Sequence, residues 1–334
     1  MQIPFDQMQH VLYKLFKKHQ FSEEKAKLMA KVFAENTLAG VNSHGINRVP
    51  LFIEYVEKGI IKIDAEAEKV ESFGCIERWD GHFGPGITNA TQCTNRAIEL
   101  AKLHGMGMVA LRNTNHWMRG GTYGWQAAEA GCISIIFTNT QPSMPPWGGK
   151  DSRLGNNPYV VSIPRAEGHV VLDMAISQFS FGKMNDYKLK GEKLPYSGGW
   201  DDNDELSNDP EKILSNERAL PIGYWKGSAF SMILDMLATL LAAGDSTYKI
   251  GLKPYETGVS QIYLCIYPDI FGDKSLQEKL INEIIDYTHN VEPMNAGDKT
   301  YYPGERSLQA TKKNLKNGIP IDKNVWQKIL ELLG

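Results

Sequence analysis

The fold of this chain is decided by a strand, a glycine-rich turn, a helix and a second strand at residues 107–138, GMVALRNTNHWMRGGTYGWQAAEAGCISIIFT. The runs 107–111 and 132–138 are apolar and have the length of buried strands, whereas 122–130 has a helical composition. The turn between the first strand and the helix lies at the carboxyl end of a strand, where open α/β sheets bind ligands. The stretch therefore predicts an α/β layer structure.

Alternating helices and strands are predicted on both sides of this stretch. Further strands are expected at 160–163, 170–174 and 260–267, and further helices at 88–102 and 227–243. The chain before residue 57 is helical in pattern, with Ser22 as the cap of a second helix, and three closing helices are expected at 276–290, 308–315 and 325–333. We predict an α/β domain of residues 81–274 inserted into a largely helical domain formed by both termini, 1–80 plus 275–334. The acidic stretch 198–217 is predicted to be a long surface loop.

Composition excludes several classes of function. The 334 residues carry 36 Lys+Arg and 39 Asp+Glu, a net charge of −3, so no broad positive field favours nucleic acid as a partner. The most apolar segment, 230–243, is too short to span a bilayer and predicts a buried core helix, so no membrane partner is expected. Four scattered cysteines without a C-x-x-C pair favour a reducing compartment. No signal peptide is visible, and we expect a cytoplasmic protein.

The familiar motifs for cofactors and metals are missing from the sequence. No G-x-G-x-x-G follows a predicted strand, so an ordinary Rossmann site is not supported. Gly149-Lys150 is followed by Asp151, which excludes a P-loop, and the sequence has no H-E-x-x-H for zinc. We predict no metal site.

The densest chemistry lies in Asn42-Ser43-His44-Gly45-Ile46-Asn47-Arg48. A histidine can protonate a developing alkoxide, and it suits the general acid of a carbonyl reduction. Arg48, four positions after His44, could hold a carboxylate bidentately on the same face of a helix. The pattern is equally compatible with a helix-capping histidine and a surface arginine.

A second motif runs from Asn113 to Gly124 and contains Asn115-His116-Trp117-Met118-Arg119-Gly120-Gly121. Its glycines would let the backbone approach an anion at the start of the helix. The alternative is a tight loop whose Trp117 and Tyr123 fill the core.

A third motif, from His169 to Ala175, places Asp173 at the end of a strand, where it could bind a ribose hydroxyl or simply cap the next turn. Tyr224-Trp225-Lys226-Gly227-Ser228 could be a helix start that contacts phosphate, or merely an N-terminal turn.

Five stretches together resemble the malate/L-lactate dehydrogenase family, whose cofactor-binding fold differs from the Rossmann fold. They are Ser43-His44-Gly45-x-Asn47-Arg48, Val109-Ala110-Leu111-Arg112-Asn113, Asn115 to Gly121, Pro145-Pro146-Trp147-Gly148 and Gly223-Tyr224-Trp225-Lys226-Gly227-Ser228. The resemblance implies a homodimeric cytoplasmic reductase with a non-Rossmann NAD(P)-binding domain. It implies NADH as cofactor, with NADPH used by some relatives, and a small keto acid as substrate.

The resemblance also assigns roles to individual residues. It implies that His44 is the proton donor, that Arg48 lies near the substrate carboxylate, and that His116 belongs to the substrate site. The residues that match family cofactor contacts are His169, Val170, Val171, Leu172, Asp173, Met174, Ala175, Trp225, Lys226, Gly304, Glu305, Arg306 and Thr140.

Departures from the family pattern leave the substrate and the cofactor preference open. Many relatives have Leu-Gly-Thr-Asn-Pro where this chain has Leu154-Gly155-Asn156-Asn157-Pro158. Glu305 and Arg306, the last two residues of the triplet Gly304-Glu305-Arg306, also differ from the family pattern. Malate, lactate, ureidoglycolate and cyclic imine acids are alternative substrates on the same scaffold.

Overall fold

A computed structural model describes residues 1–334, with the side chain of Phe271 excepted. The helices are α1 (Phe5–Lys18), α2 (Glu23–Leu38), α3 (Val49–Glu57), α4 (Gly86–His104), α5 (Gly121–Glu129), α6 (Phe181–Lys190), α7 (Pro210–Asn216), α8 (Trp225–Ala242), α9 (Thr247–Gly251), α10 (Lys274–His289), α11 (Glu305–Asn317) and α12 (Lys323–Leu333). The strands are β1 (Gln2–Ile3), β2 (Glu68–Phe73), β3 (Ile76–Asp80), β4 (Met106–Thr114), β5 (Ile133–Thr138), β6 (Tyr159–Ile163), β7 (Val170–Met174), β8 (Gly199–Trp200), β9 (Leu206–Ser207), β10 (Val259–Ile266) and β11 (Ile319–Pro320).

A seven-stranded mixed sheet forms the centre of the molecule, in the order β2-β3-β4-β10-β5-β6-β7. Strands β3 and β4 are parallel, and the other neighbours are antiparallel. Alternate residues of β4 face opposite sides: Val109 packs with α4 and α5, whereas Ala110 packs with Leu234 of α8. Both faces of the central strands are covered, which explains their continuous apolar sequences. The predicted α/β class is confirmed.

The helical part of the chain brings both termini together. Phe16, Phe21, Phe33 and Phe52 from the first three helices and their connections form an aromatic cluster with ring centroids 5.5–6.1 Å apart. Helix α12 adds its apolar face to the same core, and β1 pairs with β11. The division into 1–80 plus 275–334 and 81–274 stays a prediction.

Several elements differ from the sequence expectation. Strands β2 and β3 were not predicted, because every residue of β2 is exposed and gives no alternation. The buried charges of β3 are instead paired, Glu77 with Arg96 at 2.8 Å and Asp80 with Arg112 at 2.9 Å. The predicted loop 198–217 is wrong in part, since it contains β8, β9 and α7, which are too short to give a periodic signal.

Helix α8 was predicted to be a buried core helix, and this is wrong for one of its faces. Its inner residues pack on the sheet, but five apolar side chains are 41–73% exposed: Met232, Ile233, Met236, Leu237 and Leu240. Hydropathy measures how apolar a helix is and does not report which face is covered. Within the described residues, no helix is long and apolar enough to cross a membrane.

Candidate active site

His44 lies in a tight turn between α2 and α3, built from the 3₁₀ segments Asn42–His44 and Ile46–Arg48. Two side chains of α2 hold this turn. The Asn36 Nδ2 donates to the His44 carbonyl oxygen at 3.0 Å, and the Thr37 Oγ1 accepts from the Ile46 backbone N at 2.9 Å. The turn, and with it the imidazole, is therefore fixed by buried polar contacts.

The imidazole of His44 is partly buried, and its two nitrogens differ. The Ser43 Oγ lies 3.1 Å from Nδ1, so Nε2 remains to exchange a proton with a substrate. Helix α6 approaches closely at Gly182, where a Cβ would lie 2.5 Å from the Ser43 Cβ. Glycine at this position is required for α6 to close one side of the histidine.

The second motif meets the first at His116. The rings of His44 and His116 stack with centroids 5.8 Å apart. The His116 Nδ1 accepts a hydrogen bond from the Met118 backbone N at 3.0 Å, so neutral His116 carries its proton on Nε2. The sequence placed these two histidines 72 positions apart, and the fold brings them together.

A cavity next to these rings encloses about 310 Å³ of empty space, its open mouth included. Its polar lining consists of Arg48, Asn115, His116, Tyr55 and Glu256, and apolar side chains complete the wall. The cavity suits a small polar acid.

Burial and positive neighbours keep both imidazoles neutral. Burial, reinforced by the charges of Arg48 and Arg119, lowers the pKa of His44 to about 4, while Asp173 opposes the shift. Burial, Arg48 and His44 together lower the pKa of His116 well below its usual value. Arg48 is the cation that acts on both imidazoles, so the site favours an anionic group bound next to Arg48.

The predicted cofactor segment His169–Ala175 occupies β7, the last strand of the sheet, and its flanks. The segment around Gly304 packs on this strand, because the Val171 backbone N donates to the Pro303 carbonyl oxygen at 2.9 Å. Gly304 has a φ of 95°, and a Cβ there would lie 3.2 Å from the Val171 N. Two segments that are 129 residues apart in sequence thus form one surface.

Arg119 links this surface to the histidines. Its Nε lies 3.4 Å from the Asp173 Oδ2, and its Nη2 donates to the Ser307 Oγ at 3.0 Å. The adjoining Gly121 admits the carboxylate, since a Cβ there would lie 2.7 Å from the Asp173 Oδ2. Asp173 also acts electrostatically on His44, so the strand end and the imidazole share one site.

Trp225 and Lys226 are exposed at the start of the 18-residue helix α8. Among the described side chains none caps this helix N-terminus, and the preceding Tyr224 has a φ of 59°. The first N–H groups of the helix are largely paired within this turn, since the Lys226 N donates to the Gly223 carbonyl oxygen at 3.2 Å and the Gly227 N to the Ile222 carbonyl oxygen at 2.8 Å. The exposed ammonium of Lys226 is therefore the group here that suits an anion such as a dinucleotide phosphate. The backbone N of Ile222 donates to the Ile176 carbonyl oxygen at 2.9 Å, which ties this turn to the end of β7. These residues fit a dinucleotide.

The remaining predicted residues are held by local contacts. Thr140 is buried after β5, where its Oγ1 donates to the Asn156 Oδ1 at 3.2 Å. Glu305 accepts from the Tyr302 backbone N at 3.1 Å, and Arg306 stacks 4.4 Å from the Tyr301 ring centroid. Glu305 and Arg306 border a wide depression beside the loop 291–301.

Three polar residues of the cavity were missed by the sequence analysis. Asn115 adjoins His116 within the second motif, which could have pointed to it. Tyr55 was predicted only as a helix residue, and Glu256 lies in a loop without a motif. Their place in the cavity comes from the packing of separate segments.

Acid–base and anion-binding groups meet here at the end of a sheet without a Rossmann turn, and this arrangement defines an enzyme that performs acid–base chemistry on a small anionic substrate. Comparison with known proteins agrees with this class. The family described as malate/L-lactate dehydrogenase matches residues 3–330. The chain therefore belongs to the malate/L-lactate dehydrogenase family, as the resemblance predicted, and like other dehydrogenases it uses a nicotinamide cofactor.

Individual relatives cover the whole chain. A protein of Salmonella heidelberg named 2,3-diketo-L-gulonate reductase is 42% identical over 333 residues, 99% of this chain and 100% of the relative. The malate dehydrogenase of Entamoeba histolytica superposes with a TM-score of 0.94 at 25% identity and covers 99% of this chain and 97% of its own. The sulfolactate dehydrogenase of Methanocaldococcus jannaschii gives a TM-score of 0.89 at 29% identity, with 99% and 96% coverage.

Proposed function

We propose that this protein reduces 2,3-diketo-L-gulonate to 3-dehydro-L-gulonate, with NADH as cofactor and His44 as proton donor. The name of the full-length relative at 42% identity supports the substrate. One structural observation carries the mechanism: the His44 ring stacks on His116, which shares a cavity wall with Arg48.

Arg48 binds the substrate carboxylate in this proposal. Its guanidinium lies in the cavity wall, and within the described residues no carboxylate comes within 4.0 Å of it. A planar fork of N–H donors matches a carboxylate and fixes the adjacent carbonyl in position. Positioning of this kind turns an encounter into an oriented reaction.

His44 delivers the proton to the carbonyl oxygen. Its pKa of about 4 in the free protein is partly due to Arg48, whose charge a bound carboxylate would neutralise. Substrate binding therefore raises the pKa of His44 and favours proton uptake. Asp173 supports the imidazolium that results, and Ser43 holds Nδ1.

His116 acts as a neutral hydrogen-bond donor. Because its Nδ1 accepts from Met118, its Nε2–H is available to the substrate. A neutral imidazole in this position stabilises negative charge on oxygen without taking part in the proton transfer.

When bound, the reduced nicotinamide supplies a hydride to the carbonyl carbon beside the carboxylate. The residues that would hold the cofactor are those from His169 to Ala175, together with Trp225, Lys226, Gly304, Glu305, Arg306 and Thr140. NADH is proposed over NADPH from the family resemblance. Without a Rossmann acidic residue, the usual sequence rule for this choice does not apply.

We also propose that the active form is a homodimer in the cytoplasm. The exposed apolar face of α8 supports a second copy as partner, because apolar stripes on a surface helix are commonly covered in an assembly. The four cysteines are free thiols, which agrees with a reducing compartment.

Steady-state kinetics with the purified protein tests the function. NADH and NADPH oxidation is followed at 340 nm with 2,3-diketo-L-gulonate, oxaloacetate, pyruvate, a ureidoglycolate-derived keto acid and a cyclic imine acid. The proposal expects the highest kcat/KM for 2,3-diketo-L-gulonate with NADH. A higher value for another acid would assign that substrate instead.

A further inference from the structure

Glu256 is a charged residue in the cavity wall that the reduction itself does not require. It lies in the loop between α9 and β10, and its Oε2 accepts a hydrogen bond from the Gln141 backbone N at 3.2 Å. Gln141 directly follows Thr140, so this contact places the carboxylate where the substrate cavity meets the proposed cofactor surface.

The cavity wall carries a basic and an acidic side chain. In the part of the chain that the structure describes, Arg48 and Glu256 are its two formally charged side chains, and they form no salt bridge within 4.0 Å. Burial raises the pKa of Glu256, and Arg48 and the Gln141 N–H, which favour the ionised form, offset only part of this rise. The guanidinium and the carboxylate are therefore each left to interact with a ligand.

We propose that Glu256 determines substrate specificity by selecting keto monocarboxylates that carry hydroxyl groups over keto dicarboxylates. The inference rests on the proposed function, in which Arg48 binds the carboxylate next to the reacting carbonyl. The far end of the substrate then faces Glu256. A hydroxyl there donates to the carboxylate oxygen, whereas a second carboxylate meets a like charge at a partly buried site.

The physical basis is a difference between two pairings at one position. A hydrogen bond from a hydroxyl to a carboxylate is charge-assisted and is stronger than a bond between neutral groups. Two carboxylates in a partly desolvated cavity repel each other and cannot both stay ionised without a cost. Specificity thus comes from an attractive and a repulsive element of the same side chain.

The first experiment measures kcat/KM of Glu256→Gln for 2,3-diketo-L-gulonate and for oxaloacetate. Glutamine keeps the size and the carbonyl acceptor for Gln141 but removes the charge. We expect the ratio to shift at least tenfold toward oxaloacetate, about 1.4 kcal/mol. Glu256→Asp, which keeps the negative charge, should keep the wild-type preference for 2,3-diketo-L-gulonate over oxaloacetate. The kcat/KM for pyruvate, which has neither a hydroxyl group nor a second carboxylate, should change less than threefold.

A matched control is Glu24→Gln, which removes the same charge from an exposed residue of α2 outside the cavity lining. It should leave every ratio unchanged. An unchanged ratio in Glu256→Gln, with NADH binding intact, would overturn the inference.

A binding experiment separates this inference from the proposed reaction. Glycerate and tartronate are a hydroxylated monocarboxylate and a dicarboxylate that NADH cannot reduce, and their binding to the NADH-saturated protein is measured by calorimetry. In Glu256→Gln, the affinity for tartronate relative to the affinity for glycerate should rise at least tenfold. If this shift occurs while 2,3-diketo-L-gulonate is not reduced, the proposed substrate fails and the role of Glu256 stands. If turnover is present but the shift is missing, the role of Glu256 fails.

Discussion

The imidazole rings of His44 and His116 lie nearly parallel, 5.8 Å apart between centroids with an interplanar angle of 16°. Two stacked imidazoles cannot both be charged without repulsion, so at most one carries the proton during a reaction. Asp173 favours the charge on His44, whereas the Met118 N–H requires an unprotonated Nδ1 on His116. The pair therefore divides into a proton donor and a neutral hydrogen-bond donor.

Replacement of His44 tests the proton donor directly. His44→Asn should bind NADH with a Kd within a few-fold of wild type but lose kcat by about 10²-fold or more, in line with general acid catalysis. NADH fluorescence gives the Kd, and absorbance at 340 nm gives kcat. The control is His10→Asn, an exposed histidine of α1. Near-wild-type turnover of His44→Asn would contradict the assignment.

The pH dependence follows from the lowered pKa of His44. The protonated form is active in reduction, and the free-enzyme pKa is about 4, so its population falls tenfold per pH unit above that value. We expect log kcat/KM for reduction to decline with a slope near −1 between pH 5 and 8. In the oxidation direction the neutral form is active, and kcat/KM should be flat over the same range. A flat profile for reduction, measured with wild type, would refute this.

His116 can be tested with two amides that each replace one ring nitrogen. The oxygen of Asn can take the place of Nδ1 and accept from Met118, whereas the amide nitrogen of Gln can take the place of Nε2 as donor. If the substrate hydrogen bond matters, His116→Gln should retain more kcat/KM than His116→Asn, by about tenfold for a bond to a charged oxygen. Melting temperatures show whether the turn is intact. The opposite order would indicate a structural role.

Sequence reasoning found the strands and helices whose sequences are strongly periodic. Strands β4, β5, β6, β7 and β10 are buried and apolar, and their predicted bounds agree within a few residues. Strand β2 was not predicted because its stability comes from pairing with β3 and from ion pairs, and the hydrophobic pattern of the sequence contains neither. Exposed faces such as that of α8 also need the tertiary structure.

The site residues likewise divide into those that the sequence predicted and those that only the structure shows. His44, Arg48 and His116 stand in dense polar motifs, and the structure brings them together. Glu256 gave no signal, because its role depends on the approach of a loop to Arg48 and Gln141. The fold class and the family follow from the sequence, whereas the cavity wall requires contacts between distant segments.

Arg48→Lys tests the carboxylate contact. Lysine keeps the charge but presents a point donor in place of a planar fork, so the KM for the keto acid should rise sharply, by tenfold or more, about 1.4 kcal/mol. The Kd of NADH should stay unchanged. Lys183→Arg, at an exposed residue of α6, is the control for an exchange between the two cations. An unchanged KM would remove Arg48 from the substrate site.

The exposed face of α8 predicts the assembly. Light scattering should give about twice the 37.4 kDa of one chain. Leu240 is 73% exposed, and a two-fold interface over this face would bury the residue in both copies. Leu240→Glu would then bury two unpaired charges and should dissociate the dimer. Ile284 on α10 is 68% exposed and belongs to a different apolar stripe. Ile284→Glu should leave the mass unchanged, since a helix face outside the interface tolerates a charge. Dissociation by Ile284→Glu but not by Leu240→Glu would assign the interface to α10.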